Sequence, residues 1–210
     1  MKITVIGAGS MGSAFVKQLT RAGDQVSVTA RDIDKARRVA AANPGAKEIP
    51  AAGSAADADA VVVATGYGDA VTALRSADDL KGKVLIDVTN PLTADYMGLT
   101  IGHETSAAEE IAKALPGAEV VKAFNAVFAQ VLAEGADFDQ GRKVPVFYAS
   151  DSEGAKQTAR ALAESMGFET IDAGGLKNAR YLEPLAGLNI YLGYGAGLGT
   201  SIAPTWIRKA

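Results

Sequence analysis

The chain has 210 residues, 48% of them apolar and 21% charged, the balance of an ordinary globular protein with enough apolar mass for a substantial core. A net charge of −3 argues against a nucleic-acid partner held through its phosphates. The lack of cysteine excludes disulfides and thiolate chemistry, and a single histidine, His103, argues against histidine metal sites and Ser-His-Asp triads.

The opening MKITVIGAG holds too short an apolar run for a signal peptide, and Lys2–Ile6 reads as a strand. Further strands are expected at Gln25–Thr29, Ala60–Ala64, Lys83–Val88 and Glu119–Ala123, with a weaker one near Lys47–Ile49. Their continuous apolar runs suit strands covered on both faces. Between the first two, Met11, Phe15, Leu19 and Ala22 recur at helical spacing, and Gly23 supplies a stop. Ser106 and Glu109 form a capping box that opens a helix ending near Leu115-Pro116-Gly117. After Gln140 come a strand at Val144–Ala149, a helix at Asp151–Met166 and a strand at Phe168–Asp172. The stretch AGGLKNARYLEPLAGLNIYLGYGAGLG then reads as one long helix or two short ones.

This alternation predicts an α/β fold: a Rossmann-type doubly wound sheet, mostly parallel, with a small C-terminal α/β extension. Residues 1–118 form the expected nucleotide-binding lobe and 119–210 the extension, packed together as one compact unit. Pro184 to Ile207 carries no charge and is long enough to span a bilayer. Its glycines at 187, 193, 195, 197 and 199, with Asn189, Tyr191, Tyr194, Thr200, Ser201 and Pro204, interrupt the apolar run. A buried helix at a subunit or cofactor interface is the reading, with no membrane partner and a cytoplasmic location. Leu185, Leu188, Leu192 and the small residues between them would give a homodimer its contact face.

The stretch VIGAGSMG follows the first strand directly and opens the first helix, the setting that a dinucleotide turn requires. Gly7 would permit the sharp turn, Gly9 the approach of a pyrophosphate, and Gly12 close helix–strand packing. The pyrophosphate is expected on the amides of Ser10, Met11 and Gly12. Where an NAD enzyme keeps an acid, the second strand ends in the small residues Thr29 and Ala30, followed by Arg31 and, one helical turn on, Lys35. That pattern favours NADP(H), with Arg31 gripping the 2′-phosphate, over two surface cations paired with Asp32 and Asp34.

Three motifs then carry a resemblance over nearly the whole chain: IDVTNPL (Ile86–Leu92), TSAAEEIAKALPGAEVVKAFN (Thr105–Asn125) and DAGGLKNARYLEPLAGL (Asp172–Leu188). The chain resembles the deazaflavin-dependent NADP oxidoreductase family, with which the cytoplasmic domain of the STEAP-type metalloreductases belongs. The resemblance implies nucleotide contacts at Gly9, Ser10, Met11 and Gly12, 2′-phosphate contacts at Ala30, Arg31 and Lys35, and a loop contact at Thr65. It also implies hydride transfer between NADP(H) and a deazaflavin or flavin, a small-molecule redox acceptor whose ring stacks on the nicotinamide. Asn90, Asn125, Ala126 and Val127 are candidates for the acceptor pocket. Deazaflavin-using members carry His-Thr-Ile where this chain has Asn125-Ala126-Val127, which leaves room for a flavin or a quinone-like acceptor in place of deazaflavin.

Imine reductases and β-hydroxyacid dehydrogenases share the glycine turn but carry a large helical domain that this chain lacks room for. Direct reduction of a small imine or carbonyl stays open as an alternative, although no proton donor is evident, and so does a non-enzymatic NADP(H)-binding or electron-delivery module. Several other residues have ordinary structural readings. His103 is expected in a surface loop, Lys122 either near the nicotinamide carboxamide or at a strand edge facing solvent, and Asp87 on backbone amides. Arg180 and Glu183 are spaced for an ion pair on one helix, Asn125 could cap its own loop, and Trp206 is read as a packing anchor.

Overall fold

Valine, isoleucine and alanine fill the strands because both faces of the sheet are covered, and alternate side chains enter different layers. In the computed structural model, which describes residues 1–138, 141–207 and 209, the strands are β1 (Lys2–Ile6), β2 (Gln25–Thr29), β3 (Ala46–Glu48), β4 (Ala60–Val63), β5 (Val84–Asp87), β6 (Glu119–Ala123), β7 (Pro145–Ala149) and β8 (Glu169–Asp172). The remaining positions 139, 140, 208 and 210, within the expected C-terminal extension, lie outside the described residues. The eight strands form one sheet in the order β3-β2-β1-β4-β5-β6-β7-β8. Every pairing is parallel except β6 with β7. Strand order reverses between β1 and β4, the place where such sheets open a crevice for a ligand.

The helices are α1 (Ser10–Arg21), α2 (Ile33–Ala41), α3 (Tyr67–Arg75), α4 (Ala107–Ala114), α5 (Ala129–Glu134), α6 (Glu153–Ser165) and α7 (Ala179–Ile190). On one face, Ile3, Val5, Val62 and Ile86 meet Phe15 and Leu19 of α1, Leu132 of α5 and Leu162 of α6. On the other, Ile6, Val61, Val63 and Leu85 meet Leu74 of α3 and Ile111 of α4. The two-residue period of β4, with Val61 and Val63 on one side and Val62 on the other, gives each layer its half of the core.

The expected elements are present, with ends that shift by a residue or two. The weak third strand starts at Ala46, one residue before its expected place. The long C-terminal stretch opens with a 3-10 turn at Leu176–Asn178, becomes α7, runs through Pro184, and ends in a π-helical turn at Tyr191–Gly195. Its small residues meet this chain's own side chains. A Cβ on Gly193 would lie 2.7 Å from the Phe128 ring, and one on Gly195 would lie 2.8 Å from Tyr191. Among the described residues, no helix is long and apolar enough to cross a membrane.

Candidate cofactor and acceptor site

Gly7 and Gly12 are glycines for steric reasons that the structure makes explicit. Gly7 has φ +120°, and a Cβ there would sit 2.4 Å from the Ala64 carbonyl oxygen. A Cβ on Gly12 would lie 1.9 Å from the Gly7 carbonyl oxygen, so the first turn of α1 can lie on the turn after β1 only without it. Gly9 differs: a Cβ would meet nothing within 4 Å, so the space above it is open. Gly9 is also the N-cap of α1, and neither a side-chain cap nor an acid in the first turn meets the helix end. The terminal amides of Ser10, Met11 and Gly12 therefore face outward at the positive end of the helix dipole, where an anion is stabilised.

Ala30 is half-buried after β2, and the Arg31 side chain is 91% exposed. Asp32 does not pair with it. Its carboxylate accepts from the amides of Asp34 and Lys35 at 3.1 and 3.3 Å and so caps α2. Asp34 is taken by Arg37 at 2.7 Å. The surface-pair reading of Arg31 and Lys35 with Asp32 and Asp34 is thus not what the chain adopts. The carboxylate near Arg31 belongs to Asp69 on α3, 3.8 Å away, and among the described residues Lys35 forms no ion pair. Two cations stand at the strand end with no acid on the strand itself, which suits a 2′-phosphate.

Beyond Met11, a cavity of 660 Å³ opens between the loops that follow β4 and β5. This lies within the range of about 300–1,000 Å³ usual for small-molecule pockets. Its lining includes Met11, Thr65, Tyr67, Thr89, Asn90 and Leu92, and no charged side chain borders it. Uncharged walls beside an anion-binding helix end suit a phosphate-linked ring system whose ring lies in the cavity. Thr65 is half-buried at its edge and donates to the Gly66 carbonyl at 3.1 Å. The Tyr67 hydroxyl is held above the usual phenol pKa, chiefly by burial and then by the carboxylates of Glu110, Glu183 and Asp87, with Lys122 opposing.

Of the four residues expected to line the acceptor pocket, Asn90 does so, while Asn125, Ala126 and Val127 are each 6% exposed and support the wall from behind. Asn125 does not cap its own loop. Its amide donates to Asn90 Oδ1 and to the Leu182 carbonyl, both at 2.9 Å, and Asn90 returns a bond to the Asn125 carbonyl at 2.8 Å. The backbone reaches this arrangement through Phe124, a non-glycine residue at φ +60°. Edge-to-face contacts of its ring with Phe15 at 5.0 Å and Phe168 at 6.2 Å hold that unfavourable conformation.

Lys122 contradicts both of its sequence readings. It is fully buried, and its ammonium meets Asp87 at 2.6 Å, Glu183 at 2.8 Å and the Thr89 carbonyl at 2.7 Å. The ammonium is enclosed by these three oxygens, so the lysine neither faces solvent nor reaches for a nicotinamide. The second negative charge is met by α4, whose first amides, Ala107 and Ala108, donate to Glu183 at 2.9 and 3.2 Å. Asp87 meets its expected backbone amide, from Thr89 at 2.9 Å, as well as the lysine. Glu183 is therefore taken, and Arg180 pairs instead with Glu109 of α4 through two bonds of 2.8 and 2.7 Å. His103 is exposed in its loop with φ +56°, and Trp206 is 62% exposed but packs edge-on against Phe147 at 5.1 Å.

Sequence reasoning did not single out Tyr67 and Thr89, which also line the cavity, because no residue-type pattern marks them.

Residues 2–91 match the family described as NADP oxidoreductase, coenzyme F420-dependent. Along 209 aligned residues the chain is 34% identical to the F420-dependent NADP reductase of Methanothermobacter thermautotrophicus, covering 91% of this chain and 89% of that protein. It is 31% identical over 185 residues to the metalloreductase STEAP3 of Rattus norvegicus, an alignment covering 88% of this chain but only 36% of that protein's length. Among solved structures, a putative F420-dependent NADP reductase from Arthrobacter sp. FB24 superposes with a TM-score of 0.84 at 29% identity, covering 95% of this chain and 96% of that one. A shared fold and an alignment along nearly the whole of both chains place this protein in the family of F420-dependent NADP oxidoreductases.

Proposed function

We propose that the protein is an NADP-dependent oxidoreductase that transfers a hydride between NADP(H) and coenzyme F420, a deazaflavin. The observation that carries this reading is the uncapped α1 terminus at Gly9 lying directly beside an uncharged cavity at the ends of β4 and β5. Gly9 to Gly12 would hold the pyrophosphate, Ala30, Arg31 and Lys35 would receive the 2′-phosphate, and Thr65 would supply a loop contact to the nucleotide. Bound there, NADPH would supply a hydride from nicotinamide C4 to the acceptor ring, with solvent supplying the proton that completes the two-electron reduction. The protein's part is to align two planes and exclude water, which needs no histidine and no paired carboxylates at the ring.

The exposed side chains of Leu188, Tyr191, Tyr194 and Leu198 support a second copy of this chain as the cover for α7 and the turn after it. Light scattering of the purified protein at micromolar concentration should give a dimer mass, and a monomer mass would end that part of the reading.

The function is tested by NADPH oxidation with oxidised F420, free flavin mononucleotide and a panel of cyclic imines as parallel acceptors. F420 should be consumed fastest. Turnover with imines and none with F420 would favour direct imine reduction, and turnover with no acceptor would favour a binding module.

A further inference from the structure

Burying a lysine with two carboxylates adds little net stability, because the cost of taking the charges out of water offsets their attraction. Lys122 nevertheless lies fully buried in β6, where its neighbours Val121 and Ala123 are apolar. Its contacts divide in two. Towards α7 it meets Glu183 at 2.8 Å, a carboxylate that the Ala107 and Ala108 amides of α4 also hold. Towards the cavity it meets Asp87 at 2.6 Å and the Thr89 carbonyl at 2.7 Å.

The second set of contacts bears on the site. β5 ends at Asp87, and the next three residues, Val88, Thr89 and Asn90, line the 660 Å³ cavity. The pairing of β5 with β6 also stops there, at Asp87 opposite Lys122, so past this point the sheet ladder no longer fixes the main chain. Other bonds take over. The Thr89 amide donates to Asp87 Oδ1 at 2.9 Å, and Lys122 reaches across from β6 to the Thr89 carbonyl. One residue on, the Asn90 side chain exchanges bonds with Asn125. Lys122 itself does not line the cavity.

We propose that Lys122 is a positioning residue, which by holding the Thr89 carbonyl sets the place of the Val88–Asn90 wall for a ring bound in the cavity. This rests on the hydride transfer proposed above, and it applies to the nicotinamide and the acceptor ring alike. A fixed wall matters because a misplacement of about 1 Å between reacting groups can cost about a hundredfold in rate.

The test combines Lys122→Met with Asp87→Asn. Together they remove one charge of each sign, leave Glu183 on the α4 amides and keep an oxygen for the Thr89 amide, so the hold on the Thr89 carbonyl is what goes. Lys122→Gln with Asp87→Asn, whose side chain is too short to reach that carbonyl, carries the same expectation if the methionine variant fails to fold. Glu183→Gln is the counterpart, weakening the seam between α4 and α7 while leaving Lys122 on Asp87 and Thr89. Calorimetry follows three ligands: 2′-phospho-ADP-ribose, which has no nicotinamide, then NADP+, then oxidised F420 added to NADP+-saturated protein.

The double variant should hold 2′-phospho-ADP-ribose within about twofold of the parent and bind NADP+ or F420 about three- to tenfold more weakly. Its kcat with NADPH and F420 should fall about ten- to a hundredfold. Glu183→Gln should melt lower than the parent yet bind all three ligands as the parent does. Parental affinity of the double variant for both ring-bearing ligands would overturn the proposal, and so would an equal loss on 2′-phospho-ADP-ribose. A matching loss of ring affinity in Glu183→Gln would overturn it too, since general support of the fold would then explain both. If the unmutated protein binds NADP+ but not F420, the functional reading falls, and NADP+ against 2′-phospho-ADP-ribose then decides this proposal by itself. If F420 is bound and reduced and the double variant matches the parent, only this proposal falls.

Discussion

Arg31 holds its guanidinium 3.8 Å from Asp69 in open solvent, and an exposed pair at that distance contributes little to stability. The arginine is therefore available to a phosphate, which offers a bidentate partner and more charge than a carboxylate. Arg31→Ala should lose about ten- to a hundredfold affinity for NADPH and little for NADH, given about 1.5–3 kcal/mol for a charge-assisted bond. Asp69→Asn should tighten NADPH binding, since it removes the competing carboxylate. Titration of both variants with both cofactors decides the point, and equal affinity of the unmutated protein for NADPH and NADH would contradict it. The exposed position of Arg31 at an acid-free strand end could be read from sequence, because it is a local feature. The placing of Lys122 could not. Its partners Asp87 and Glu183 are far off in sequence, and an isolated lysine in an apolar strand gives no sign of which carboxylates will meet it. Breaking such a buried cluster by removing one member typically costs about 3–5 kcal/mol, so the lysine serves the architecture of the site and not its chemistry.

The helix α4 shows how far local rules reach at the scale of one element. Its N-terminus was readable in part: Ser106 accepts from the Glu109 amide at 3.2 Å as a capping box requires, while the Glu109 carboxylate meets the Ser106 hydroxyl at 2.8 Å and not the Ser106 amide. The ion pair that ties α4 to α7 was not, because spacing on one helix favoured Glu183 as the partner of Arg180, whereas the fold commits Glu183 to Lys122 and the α4 amides. The Arg180 guanidinium beside Glu109 holds that carboxyl below its ordinary value, helped by the Ser106 hydroxyl and opposed by burial. A depressed pKa stabilises the fold above the unfolded-state value of about 4.3, and the contribution disappears as pH falls through the lower folded value. Arg180→Gln should accordingly lower the melting temperature at neutral pH, with the gap to the parent closing on acidification below about pH 4. Thermal melts across that range check it, and a gap that persists undiminished at acid pH would show that packing, not charge, carries the contact. The π-helical turn at Tyr191–Gly195 also escaped the sequence, since it depends on how Phe128 and Met97 crowd the glycines from other elements.

For the molecule as a whole, periodicity and turns were enough to place the strands of one sheet. The antiparallel entry of β7 beside β6 depended on how far the chain travels between them, through Phe124 and α5, and no strand pattern encodes that. The same asymmetry holds for function. The proposed phosphate end consists of backbone amides and one strand end, features that lie in a single line of sequence. The ring end is a cavity between two loops, lined by residues whose roles depend on which donors are already used. The proposed function requires that the protein align two rings so that a hydride passes directly between them. The most direct measurement is the fate of deuterium in the F420 reaction started with NADPH labelled at nicotinamide C4, run separately with each stereoisomer. One stereoisomer should deliver its deuterium to the deazaflavin carbon, with a slower rate than unlabelled NADPH wherever transfer limits turnover and no label in water. Deuterium released to solvent from either isomer, or a reduced deazaflavin without label from both, would contradict direct transfer between aligned rings.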